Sequence, residues 1–171
     1  MQISVDLNQK WREVAYFYTM NPDAMAVLLQ KVSGRAYGFD FFALSCGDLC
    51  LLMDNRFPES WSEKYKNITV KDWCKLVNSV KDGINGFAAF LEKTTPPTTQ
   101  EQRMAQGGLM NTTAEEMILL TMKDFYNLHG LEEAQKMTIY EFYVARKAIY
   151  NQRRMEYNMA MAAKLKAKSK I

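Results

Sequence analysis

Residues 69–93 read TVKDWCKLVNSVKDGINGFAAFLEK, and their apolar members decide the fold class. Trp73, Leu76, Val77, Val80, Ile84, Phe87 and Leu91 step by 3, 1, 3, 4, 3 and 4. That spacing lays them along one side of an α-helix, whereas a half-buried strand requires strict alternation. Thr69 and Asp72 open the stretch with capping-box spacing, Asp standing where Glu is more usual. Gly83 and Gly86 each cost up to about 1 kcal/mol against alanine in a helix interior. A kink or break is therefore expected near DGING, residues 82–86.

Toward the N-terminus the punctuation is also helical. Trp11, Val14, Ala15 and Tyr18 share a face of a helix expected over residues 8–20. NPDAMAVLLQKVSG, residues 21–34, adds a second helix, with Asn21 as cap, Pro22 at the first helical position, Asp23 in the first turn and Ser33-Gly34 at the stop. Between these helices and Thr69 the apolar runs are short and cut by Gly38, Gly47 and Pro58. Residues 39–53 read as one or two short buried helices, with a short strand as the alternative.

Toward the C-terminus the composition changes at residue 94. TTPPTTQEQRMAQGGLMNTT holds six threonines and two of the four prolines and has no apolar period. Residues 94–112 are therefore expected to be a mobile loop, either a disordered connection or a segment that orders against a partner. Gly107-Gly108 lacks the Lys and Ser/Thr of a phosphate loop. Thr113 with Glu116 and Thr138 with Glu141 form two further capping boxes. The first opens a helix expected to end at Gly130, LEEAQKM is a short helical connector, and the second starts a terminal helix over residues 139–170, about 48 Å long at 1.5 Å per residue.

The fold expected is an all-α single-domain bundle of five to seven helices with a long C-terminal helix. Residues 1–93 form an N-terminal helical part, 94–112 the loop, and 113–171 a C-terminal helical part within the one domain. A chain of 171 residues buries roughly two-thirds of its unfolded surface, enough for a real core. Three cysteines, an odd number, argue against a disulfide scaffold and for a reducing compartment. Cys46 and Cys50 are four apart, but no second half-site accompanies them and His129 is the only histidine, so buried thiols are favoured over zinc ligands. The first residues lack the basic and apolar regions of a secretion signal, and no stretch is apolar enough to span a membrane. The location expected is cytoplasmic.

The terminal helix carries the functional signal. Ala145, Ala148, Gln152, Met155, Met159 and Ala162 repeat at 3-4-3-4-3, beside Tyr143, Tyr150 and Tyr157 at intervals of seven. A period averaging 3.5 belongs to helices that pack lengthwise on other helices. Tyrosine offers an apolar body with a polar tip, suited to partly wet interfaces. The partner-binding residues expected are Tyr143, Tyr150, Tyr157, Met155 and Met159, engaging a protein partner or a second copy. From Thr138 onward the chain is net +6 while the remainder is net −3. Arg153, Arg154, Lys164, Lys166, Lys168 and Lys170 are accordingly the candidates for polyanion contact, the second reading being a nucleic-acid-associated protein. Past Met159 the helix also reads as a solvated end whose lysines face its negative dipole end.

No catalytic, cofactor-binding or metal-ligating set stands out, no small-molecule substrate is indicated, and the chain is not expected to be an enzyme. Glu115-Glu116 and Glu132-Glu133 sit at helix starts, where complementing the dipole accounts for them. The segment MTIYEFYVARKAIYNQR, residues 137–153, with the basic Ala- and Met-rich helix after it, resembles small helical bacteriophage morphogenesis proteins, above all tail assembly chaperones. The resemblance is carried by Thr138, Glu141, Phe142 and Tyr143, a hydroxyl-capped helix with an acid and aromatics in its opening turns. It implies a non-enzymatic assembly role, such as holding a tail component until it polymerises, located in the host cytoplasm or in the virion. Head-to-tail adaptor proteins are the close second.

Overall fold

The computed structural model describes residues 5–107 and 111–168. In chain order these form α1 (Trp11–Met20), α2 (Pro22–Lys31), a 3-10 turn at Phe41–Ala43, α3 (Cys46–Met53), α4 (Ser60–Lys64), α5 (Val70–Lys93), α6 (Gln100–Ala105), α7 (Ala114–Phe125), α8 (Leu131–Lys136) and α9 (Ile139–Lys168). Two isolated bridges, Lys10 with Thr69 and Ser45 with Thr138, lie outside any named strand. The chain is all-α, as residues 69–93 require. Its helices outnumber the five to seven expected because α4, α6 and α8 have only five or six residues each, too few for an apolar period to register. The chain divides into two compact units: residues up to Leu44 with Asp48–Phe87, and Ser45–Gly47 with the chain from Ala88 onward. The division falls inside α5, not at residue 94 where the composition changes.

In the first unit, α5 supplies the core with Val70, Trp73, Cys74, Leu76, Val77 and Val80, joined by Tyr18, Leu28, Leu29, Val32, Leu52 and Trp61. The capping contact forms as read: Asp72 N–H donates to Thr69 Oγ1 at 3.1 Å, and that hydroxyl donates to Asp72 Oδ2 at 2.9 Å. The break expected at residues 82–86 is absent, and α5 continues as one helix. A Cβ at Gly83 would lie 2.2 Å from Phe41 Cδ2, so glycine here makes room for an aromatic ring. At Gly86 nothing lies within 4 Å. Asn78 Nδ2 donates to the carbonyls of Leu29 and Val32 at 3.2 and 2.9 Å, satisfying acceptors left at the end of α2.

Local chemistry shifts two other boundaries and gives one cap a second role. α1 starts at Trp11, three residues later than expected, because the preceding backbone is already paired: Val70 N–H donates to Gln9 O and Trp11 N–H to Ile68 O, both at 2.9 Å. Asn21 holds the N-cap position of α2, and its carbonyl accepts from Met25 N–H at 3.1 Å, but its side chain makes no cap bond; Nδ2 donates backward to Phe17 O at 2.7 Å and closes α1. α7 ends at Phe125, not Gly130. Asn127 adopts φ 52°, Leu128 N–H donates to Lys123 O at 2.8 Å and Asn127 N–H to Asp124 O at 3.4 Å, a Schellman ending with asparagine in the glycine position. Gly130 instead precedes α8 in extended backbone. α3 closes the same way through Asn55 (φ 58°), with Arg56 N–H on Leu51 O at 2.8 Å.

In the second unit, Ile118, Leu119, Met122, Ala134, Ile139, Phe142 and Ala145 are buried where α7, α8 and the start of α9 meet. Residues 39–53 resolve to the 3-10 turn and α3, the helical alternative. Within residues 94–112, expected as a loop throughout, α6 forms. Its reciprocal capping box has Gln102 N–H on Thr99 Oγ1 at 3.2 Å and Thr99 N–H on Gln102 Oε1 at 2.8 Å. Gly108 of the glycine pair and Lys170 lie outside the described residues.

Candidate interaction surface on the terminal helix

α9 begins at a fixed point. Thr138 N–H and its hydroxyl both donate to Glu141 Oε2, at 2.7 and 2.9 Å, and Glu141 N–H donates to Thr138 Oγ1 at 3.2 Å. Cys46 N–H donates to Met137 O at 2.6 Å, securing the residue before the cap, and Tyr126 Oη donates to Glu141 O at 3.0 Å. Burial, with Glu141 secondary, raises the Tyr126 phenol above its ordinary range, so it stays a neutral donor at any ordinary pH. Ile139, Phe142 and Ala145 are buried at intervals of three, which turns one side of the first two turns into the core.

Two contacts hold the next turns. Tyr143 stacks on Phe90 with centroids 4.2 Å apart and planes at 26°. Arg146 Nε donates to Thr94 Oγ1 at 3.2 Å, and that hydroxyl donates on to Phe90 O at 2.8 Å. Partial burial, with Arg153 nearby, lowers the Arg146 pKa from its usual value. Farther along, Lys164 Nζ meets Glu101 Oε1 of α6 at 2.9 Å. The Glu101 carboxyl is held down to about 2, first by the Lys164 hydrogen bond and then by its own backbone amide and the Thr99 hydroxyl.

The residues expected to bind a partner are thus dispersed in role. Tyr143 lends a ring face to Phe90, and Tyr150 is half-buried and accepts from Arg154 Nη1 at 2.8 Å. Tyr157 is half-buried, whereas the other residues from Asn151 to Lys168 are exposed. Met155 and Met159 are 59% and 65% exposed and Leu165 is 66% exposed. With Ala162 they step by 4, 3 and 3, an apolar stripe along one side. Asn151, Arg154 and Asn158 flank it and make with Met155, Met159 and Ala162 a shallow concave patch. The candidate polyanion residues Arg153, Arg154, Lys164, Lys166 and Lys168 are all exposed, with Arg154 engaged with Tyr150 and Lys164 with Glu101.

The sequence reading did not find Phe90, Thr94 or Glu101 as supports of α9. Each lies 52 to 63 residues from its partner, and no periodic signal spans such a separation. Cys46, Cys50 and Cys74 are buried thiols outside any disulfide, and burial pushes the Cys74 thiol up to about 11. Among the described residues no three His, Cys, Asp or Glu side chains converge as a metal site would require, and no helix is long and apolar enough to cross a membrane. No protein-family model, curated protein or solved structure matches the chain.

Proposed function

We propose that the chain is a non-enzymatic assembly protein that recognises a helix of another protein through the exposed side of α9. The observation that carries this reading is the stripe of Met155, Met159, Ala162 and Leu165, a set of large and small apolar residues at helix-packing intervals on a helix whose base is fixed in the core. Methionine is adaptable and adheres to varied apolar surfaces, and alanine lets a second helix approach. Charge argues for a different protein over a second copy. Pairing two α9 helices would bring together two segments of net +6, whereas an amphipathic partner helix flanked by acids would be attracted.

The resemblance of residues 137–153 to phage tail assembly chaperones supplies a setting, in which the stripe holds a tail or virion component before assembly; a head-to-tail adaptor uses the same surface on a ring neighbour. The nucleic-acid reading has less behind it, because Arg154 and Lys164 are already engaged within the chain. Affinity capture from cells that naturally make the protein tests the proposal. Wild type is expected to retain one acidic-helix partner that Met155→Asp/Met159→Asp loses and Arg153→Glu keeps. Equal retention by all three, or a salt-sensitive yield of nucleic acid alone, would overturn it.

A further inference from the structure

Independently of α9, the first unit holds a pocket of about 470 Å³, within the range of about 300–1,000 Å³ typical of small-molecule sites. Its walls include the rings of Trp11, Tyr18, Phe57 and Trp73, with Met25 and Leu29 among the aliphatic lining. Trp11 stacks on Trp73 with centroids 4.9 Å apart, and Phe57 meets Trp73 at the same distance. One buried polar atom of this wall lacks a partner among the described residues. Trp73 Nε1 is buried with no hydrogen-bond acceptor. Tyr18 is 5% exposed, and burial makes its hydroxyl harder to ionise.

The charged lining is of one sign. Arg56 and Lys81 are exposed and no acidic residue lines the pocket. Arg56 has only a long surface pairing with Asp54, 3.6 Å, and Lys81 forms no ion pair among the described residues. The Schellman ending of α3 presents Asn55, Arg56 and Phe57 to the pocket in succession. A second depression of about 340 Å³ shares Leu52, Asn55, Lys81 and Ile84 and adds Asn85, so the polar end extends past Lys81.

From these groups we infer a binding site for an amphiphilic monoanion, an apolar body ending in one carboxylate. The body lies against the rings of Trp11, Phe57 and Trp73, and the carboxylate accepts from Arg56 and Lys81. An apolar body matches the wall, and a carboxylate matches the Arg fork and the Lys ammonium better than a neutral or cationic head would.

Calorimetric titration of the full chain with dodecanoate below its micellar concentration tests this, with tryptophan emission as a second readout. Saturable one-to-one binding with a shift in emission is expected, and dodecanol is expected to bind about tenfold more weakly or worse, the loss of charge-assisted hydrogen bonds. Arg56→Gln/Lys81→Gln should weaken dodecanoate by a similar factor and leave dodecanol unchanged. Both side chains are exposed, so the double variant keeps its fold, checked by circular dichroism. No saturable binding, equal affinity for dodecanol, an unaffected double variant, or binding only of an apolar peptide would overturn the assignment.

Discussion

Gly83 and Gly86 are the same residue type, three positions apart in one helix, and have opposite roles. A Cβ at Gly83 falls on the Phe41 ring at 2.2 Å, while one at Gly86 meets nothing. Gly86→Ala should therefore stabilise the protein by about 0.5–1 kcal/mol through helix propensity. Gly83→Ala should destabilise it by about 1–3 kcal/mol, the cost of overpacking. Urea unfolding followed by circular dichroism measures both, and equal gains would mean that Phe41 yields freely. From the sequence both glycines read only as weak points, because the ring that needs one of them lies more than forty residues away. Asn127 makes the same point at a helix end. Its φ of 52° favours glycine, so Asn127→Gly should be near neutral and Asn127→Ala should cost about 1 kcal/mol in the same assay.

At the scale of elements, capping chemistry was the most legible signal. Thr69, Thr113 and Thr138 each cap the helix that the spacing assigned to them. The box that was overlooked, Thr99 with Gln102, sits in a run of Thr and Pro with no apolar period behind it, yet two reciprocal hydrogen bonds suffice to define α6. Its link to α9 has a pH signature. The Glu101 carboxyl lies at about 2, against 4.5 ordinarily, so the ionised form is favoured by the folded contact. That contribution is present above the unfolded value and is lost as pH falls from about 4.5 toward 2. An NMR titration of the Glu101 carboxyl should find the depressed midpoint, and Lys164→Gln should raise it part of the way, since the Thr99 hydroxyl and the backbone amide remain. An ordinary midpoint in wild type would mean that solvent screens the pair.

For the whole molecule, the all-α class and the long terminal helix could be read from apolar spacing together with the capping pairs. The division within α5 could not, because it depends on which distant residues gather around each half of one continuous helix. The seam on α9 was legible as a period, but the period does not say where the helix leaves its own core. Ala145 is buried and Met155 is exposed, so the seam begins as internal packing and emerges as a free stripe. The pocket between Trp73 and Arg56 left no local trace, since its lining comes from residues 11 to 84. The claim that the emergent stripe recognises another protein is tested most directly by a photocrosslinking residue at Met159, with one at Arg153 as control, in cells that naturally make the protein. A discrete protein adduct is expected from position 159, mapped to an acidic amphipathic helix, and little from position 153. Equal labelling from both positions, an adduct with nucleic acid, or no adduct at Met159 would contradict it.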